Sequence, residues 1–138
     1  MNKQLLTHPN KRKFTITQTT TIGKFGENIA LKYLLARGYT HVQSNYHIQG
    51  GELDLVMAKN GIIIFVEVKL RTSNNFGLGS EAITNSKKRK LLRSIFTFMQ
   101  SPNRPTSLHQ WQLDLVAIHY QKSSNTAFVQ HFPNILEA

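Results

Sequence analysis

Apolar residues recur at helical spacing from Ile22 onward, at Phe25, Ile29, Ala30, Tyr33 and Leu34, with Thr20 or Thr21 available as N-cap and Gly38, after Arg37, as a C-terminal stop. The pattern predicts an amphipathic helix. Glu27 lies to the side of its apolar stripe, about 100° from the centre by the helical period, and so at the margin of the buried face.

From Thr40 the period becomes that of strands. Thr40 to Ile48 and Glu52 to Lys59 read as the first two, with Gly50-Gly51 turning between them, and Ile62 to Arg71 as the third. Asn60-Gly61 joins the last two, a strong hairpin signal because a type I′ turn needs positive φ at both central residues. A loop rich in Gly, Ser and Asn, Thr72 to Gly79, leads to a second amphipathic segment, Glu81 to Gln100, with Leu91, Leu92, Ile95, Phe98 and Met99 on one side. Pro102 and Pro105 close it, and Trp111 to Tyr120 and Thr126 to Phe132 read as a fourth and a fifth strand. Residues 1–20 carry a basic cluster at Lys11, Arg12 and Lys13 and a threonine-rich run without sustained period; they read as a mostly flexible basic arm, with residues 21–138 a single domain. The expected fold class is α/β, in the order αβββαβ plus a terminal strand, with a mixed sheet flanked by helices.

The hairpin turns pattern into geometry. Reflection about Asn60-Gly61 places Lys59 opposite Ile62, Asp54 opposite Glu67 and Glu52 opposite Lys69, and strict alternation points the last four from one face. The other face of the third strand, Ile62, Ile64, Val66, Val68 and Leu70, is an unbroken apolar row that must be buried. Two carboxylates about 5 Å apart repel by roughly 3 kcal/mol at an effective dielectric near 20. A proton, the neighbouring Lys69 or a divalent cation would offset this. A cation accounts for the pair most directly, since Mg²⁺ binds through one or two carboxylates plus waters and substrate phosphates. Lys69 could then polarise an attacking water or neutralise charge in the transition state. The competing reading is an internal salt-bridge cluster, with Glu52 on Lys69 and one of the other acids protonated or paired with Arg71. Leu53-Asp54-Leu55-Val56 recurs as Leu113-Asp114-Leu115-Val116, but Asp114 has no carboxylate and lysine on a facing strand, so its expected role is structural or supporting.

Composition sharpens the choice of partner. Among 138 residues there are 17 Lys and Arg against 7 Asp and Glu, a formal charge of +10, which favours polyanions and nucleic acid first among them. Lys87, Arg89, Lys90 and Arg93, with Arg71 and the loop residues Asn74, Asn75 and Phe76, are the candidate contacts to a phosphate backbone. The absence of cysteine excludes disulfides, thiolate zinc sites and a cysteine nucleophile, and the 6 histidines lack HxxxH or HExxH spacing, so a metal here should prefer oxygen ligands. No apolar run approaches the roughly 18 residues of a membrane span and no signal-peptide core is evident, so the expectation is a soluble cytoplasmic protein with no membrane partner.

Gly23-Lys24-Phe25-Gly26-Glu27 with Ala30, Gly51-Glu52-Leu53-Asp54-Leu55-Val56, and Phe65-Val66-Glu67-Val68-Lys69 with Arg71 resemble the bacterial YraN-like family of uncharacterised predicted endonucleases. Phe76-Gly77, Glu81-Ala82 and Leu113-Asp114-Leu115-Val116 extend the likeness over about residues 22–133. That family looks like a member of the PD-(D/E)XK nuclease superfamily, with a restriction-endonuclease-like fold, and is similar to archaeal Holliday-junction resolvases in its extra helix glutamate. The resemblance implies that Asp54 and Glu67 hold Mg²⁺ or Mn²⁺, that Lys69 is the catalytic lysine, and that Glu27 is the helix glutamate of the catalytic set. Leu70 departs from the pattern, standing where many relatives have Thr. The resolvases act as dimers, so a homodimer is implied too, although no interface can be read from the residues. The function expected is metal-dependent hydrolysis of phosphodiester bonds in DNA, with branched or junction DNA as substrate; the alternative is a module on the same fold that grips nucleic acid without cutting it.

Overall fold

The computed structural model describes residues 11–15, 22–72 and 83–136. Its elements are β1 (Lys11–Thr15), α1 (Ile22–Ala36), β2 (Thr40–Ile48), β3 (Gly51–Lys59), β4 (Ile62–Arg71), α2 (Asn85–Met99), β5 (Gln110–Gln121) and β6 (Thr126–Phe132). The strands form one sheet in the order β1-β6-β5-β4-β3-β2, antiparallel throughout except for the parallel β4 and β5. Helix α2 lies in the connection between that parallel pair, as such a crossover requires. The mixed sheet with a helix on each face has the expected α/β architecture and is compatible with a restriction-endonuclease-like fold.

Local chemistry sets the element boundaries. Gly38, at φ 89°, ends α1 with the Tyr39 amide donating to the Leu34 carbonyl and the Gly38 amide to that of Leu35, both at 3.1 Å, a Schellman stop. Asn60 and Gly61 take φ of 53° and 77°, as a type I′ turn demands, and the ladder beyond them pairs Lys59 with Ile62 through to Leu55 with Val66, the register expected. Thr84 caps α2, its Oγ1 accepting from the Lys87 amide at 3.1 Å. The helix therefore begins at Asn85, whereas the sequence pattern places its start at Glu81. The suggested cap at Thr20 or Thr21, the loop residues Asn74, Asn75, Phe76 and Gly77, and Glu81-Ala82 lie outside the described residues.

One strand was not foreseen. Lys11–Thr15, within the stretch read as an arm, pairs antiparallel with β6 from Lys11 opposite Gln130 to Thr15 opposite Thr126. An edge strand pairs along one side only and needs no long apolar run, so composition alone does not betray it.

The core has two layers. On one face Ile29, Ala30, Tyr33 and Leu34 of α1 pack on Leu55, Met57, Ile64, Val66, Val116, Ile118, Ala127 and Val129. On the other, Leu91, Ile95 and Phe98 of α2 pack on Leu53, Val56, Ile63, Phe65 and Leu113. Phe98 meets Tyr46 and Phe65 edge-on, with ring centroids 5.1 and 5.5 Å apart. Trp111 leans on Phe65 and Phe96 at the rim of this layer. No helix among the described residues is long and apolar enough to cross a membrane.

Two glycines let the helices close on the sheet. A Cβ on Gly26 would lie 3.2 Å from Leu70 Cβ, so its absence lets the first half of α1 approach β4 and sets the depth of the neighbouring Glu27. A Cβ on Gly51 would lie 2.6 Å from the Oγ of buried Ser94, so the start of β3 seats directly on α2.

Candidate active site

Strand β4 is central, and both of its faces are covered. Ile64 and Val66 face α1 while Ile63 and Phe65 face α2. Alternation then puts Glu67, Lys69 and Arg71 on the α2 side, and the ladder to β5 stays regular through Arg71 opposite His119. Glu67 is consequently a core position, 4% exposed.

Strand β3 departs from simple alternation. Leu55 and Met57 belong to the α1 layer and Val56 to the α2 layer, but Leu53 also packs in the α2 layer, so the alternation breaks at Asp54. The paired register with β4 stops at Leu55 opposite Val66. Asp54 therefore does not stand in a ladder pair with Glu67. Its Oδ2 instead accepts a hydrogen bond from the Val68 amide at 2.9 Å, which still brings its carboxyl against that of Glu67.

The expected facing of Glu52 and Lys69 is corrected in the same way. Glu52 pairs in register with His47 of β2, and the two side chains meet at 3.2 Å on the exposed edge of the site. Once the β3–β4 ladder has ended, the reflection rule no longer governs partners. Lys69 stands beside Ala117 of β5, half-buried, and makes no ion pair with a described carboxylate.

The acid pair is electrostatically stressed. Burial first, and the Asp54 charge second, push the Glu67 carboxyl up to about 7, while Lys87 pulls it down. Lys87 Nζ lies 3.3 Å from Glu67 Oε2. Glu67 Oε1 is buried with no hydrogen-bond partner among the described residues. A buried acceptor left unsatisfied costs about 1–3 kcal/mol. A donor set of two carboxylates with one such oxygen suits a hard divalent cation that keeps several waters and binds a phosphate. Among the described residues no group of three or more His, Cys, Asp or Glu converges on one point, so such an ion would rest on this pair.

Helix α1 brings Glu27 to the border of the pair. Burial raises its carboxyl above the ordinary value, the Asp54 charge adds to this, and a hydrogen bond with Asn45 opposes it. Asn45 is a residue that the sequence reading missed. It lies between Ser44, paired with Leu55, and Tyr46, paired with Leu53, so it stands level with Asp54, and its φ is 54°. Asparagine tolerates that left-handed conformation better than most residues, and an Asn inside a strand pattern is the signal that could have drawn notice.

The basic candidates divide. Arg89, Lys90 and Arg93 are exposed along α2, and Arg93 reaches toward the Gly50 turn. Arg71 is half-buried, its Nε without a described hydrogen-bond partner. Lys87, grouped with these in the sequence reading, sits on Glu67 instead, a contact that sequence spacing does not reveal.

Asp114, the repeated aspartate, belongs to a separate structural cluster. It is fully buried and accepts from Gln112 Nε2 and the Asn134 amide, both at 2.9 Å, with His131 Nε2 at 2.7 Å. Its contacts come from Gln112 on its own strand, from His131 of the neighbouring β6 and from the turn after it, as its supporting role anticipates.

Comparison with known proteins matches residues 26–118 to the Uncharacterised protein family UPF0102, a span that includes Glu27, Asp54, Glu67, Lys69 and Lys87. A UPF0102 protein of Roseiflexus castenholzii is 30% identical over 118 residues, covering 86% of this chain and 94% of that protein. Another, from Caldanaerobacter subterraneus subsp. tengcongensis, is 37% identical over 99 residues, covering 72% and 80%. A third, from Legionella pneumophila, is 43% identical over 77 residues, covering 56% and 65%. With that match across most of its length, the chain belongs to the uncharacterised UPF0102, or YraN-like, family.

Proposed function

We propose that this protein is a divalent-cation-dependent endonuclease that hydrolyses phosphodiester bonds in DNA, with branched or junction DNA as its substrate. The observation that carries this reading is the buried Glu67 carboxyl set against that of Asp54, its Oε1 without a hydrogen-bond partner among the described residues and its Oε2 3.3 Å from Lys87 Nζ. Asp54 and Glu67 would hold Mg²⁺ or Mn²⁺, which when bound supplies charge neutralisation and Lewis acidity at the phosphate.

The chain's own residues supply the rest. Lys69, on the Glu67 side of β4 and without an acidic partner among the described residues, orients the attacking water and offsets charge gathering on the phosphoryl oxygens. Glu27, held by Asn45 at the border of the site, accepts a hydrogen bond from water there. Arg89, Lys90 and Arg93 line the exposed side of α2, and with Arg71 they position the backbone without reading sequence. The preference for DNA and for branched forms rests on the family resemblance.

The test is a cleavage assay on linear, nicked, single-stranded and branched DNA with Mg²⁺ or Mn²⁺. Nicking by the wild type that is lost in Asp54→Asn and Glu67→Gln supports the reading; nicking retained in both defeats it. One observation favours a second reading, a nucleic-acid-binding module that does not cut: Glu67 already has a counter-ion in Lys87. Tight binding to the same DNA panel with no cleavage under any cation would select it.

A further inference from the structure

The Lys87 contact with Glu67 is not explained by cation binding alone. Lys87 rises from the first turn of α2, a turn with no acidic residue, and its backbone amide is engaged by Thr84 Oγ1 at 3.1 Å. A cation at this end of a helix opposes the helix dipole. The side chain nevertheless turns to the sheet and places Nζ 3.3 Å from Glu67 Oε2. The two partners differ in freedom: the Lys87 side chain is 40% exposed and that of Glu67 only 5%. The carboxylate is fixed in the core, and the ammonium has an open route to solvent.

Asp54 adds a second negative charge beside Glu67, with its Oδ2 engaged by the Val68 amide, so Lys87 is the cation paired with this carboxylate among the described residues. An ammonium and a divalent cation competing for one buried carboxylate repel each other strongly in a low-dielectric setting. A lysine displaced from Glu67 would emerge on the helix face it shares with exposed Lys90, one turn along.

We propose that Lys87 is an exchangeable counter-ion: it neutralises Glu67 until a divalent cation takes that carboxylate, then turns to a phosphate of the nucleic acid and couples the two binding events. This rests on the cation-dependent reading of the site. The coupling is reciprocal, so the cation tightens nucleic-acid binding by the factor by which nucleic acid tightens the cation. Lys87 is in this sense a positioning residue, and its role is read in affinities rather than in rate.

The experiment titrates Mn²⁺ calorimetrically, without DNA, into wild type, Lys87→Met and, as a charge-matched control, Lys32→Met on the exposed side of α1. Removing the competitor should tighten Mn²⁺ binding about tenfold in Lys87→Met, with Lys32→Met within about threefold of wild type. Anisotropy with a labelled DNA junction, with and without Ca²⁺, should show the cation-dependent gain in DNA affinity falling by about tenfold in Lys87→Met. Thermal melting reports folding, and Lys87→Gln provides the same comparison if the methionine variant does not fold. Mn²⁺ binding by wild type that is unchanged or weaker in Lys87→Met, or coupling to DNA that is undiminished, overturns the inference alone. No Mn²⁺ binding by any of these folded proteins overturns the cation reading and the inference together.

Discussion

Asp54 ties β3 to β4 through its own carboxylate, accepting a hydrogen bond from the Val68 amide at 2.9 Å just beyond the last paired residues of the ladder. The acid proposed to hold the cation is thus also a clamp on the strand that carries Glu67. Its two tasks separate by substitution.

Asp54→Asn keeps an oxygen acceptor for the Val68 amide and should leave stability nearly unchanged, whereas Asp54→Ala orphans that amide and should cost about 1–2 kcal/mol in urea denaturation. Both should lose Mn²⁺ binding. Equal stability of the two variants would show that the clamp contributes nothing.

Glu67 makes stability depend on pH. Its folded value of about 7 lies above its ordinary 4.5, so the folded chain holds this proton more tightly than the unfolded chain does. The contribution is fully present below the ordinary value and is lost as pH rises through about 7. Denaturation of the metal-free protein between about pH 5 and 8 should show wild type losing up to about 3 kcal/mol relative to Glu67→Gln, the equivalent of the shift. A wild type that tracks Glu67→Gln across this range would refute the buried-acid account.

Gly51 seats the start of β3 on α2. Gly51→Ala should cost about 1–3 kcal/mol, because its Cβ meets the Oγ of buried Ser94, and Ser94→Ala should recover part of that loss in the double variant. Strict additivity in unfolding measurements would place the strain elsewhere.

Asp114 offers the opposite separation to Asp54. Removing its side chain in Asp114→Ala leaves Gln112, His131 and the Asn134 amide without their shared acceptor and should destabilise the fold by about 3 kcal/mol or more. Calorimetry at a temperature where this variant is folded should give Mn²⁺ affinity within about threefold of wild type, since Asp114 lies outside the proposed cation site.

How much of this was legible follows from how local each feature is. Asn60-Gly61 and Gly38 announce their turns through conformations that few residues accept, so the hairpin register from Leu55 to Lys59 and the end of α1 could be read directly. The buried row on β4 also follows from alternation. The site itself was only partly legible. Alternation predicts its own continuation, whereas the break at Asp54 is set by both helices gripping β3 from opposite faces, a tertiary effect. The Lys87 contact spans an intervening segment that carries the chain from β4 into α2, and the positive φ of Asn45 has meaning only beside Glu27. Glu27 was placed at a helix margin by its period; its approach to Asp54 depends on the close packing allowed at Gly26.

The most direct measurement is anomalous diffraction from crystals of the protein soaked in Mn²⁺. The account predicts one strong peak within bonding distance of both the Asp54 and Glu67 carboxylates, with Lys87 withdrawn from Glu67. Ordered Asp54 and Glu67 with no peak between them, and Lys87 still on Glu67 at saturating Mn²⁺, would contradict it.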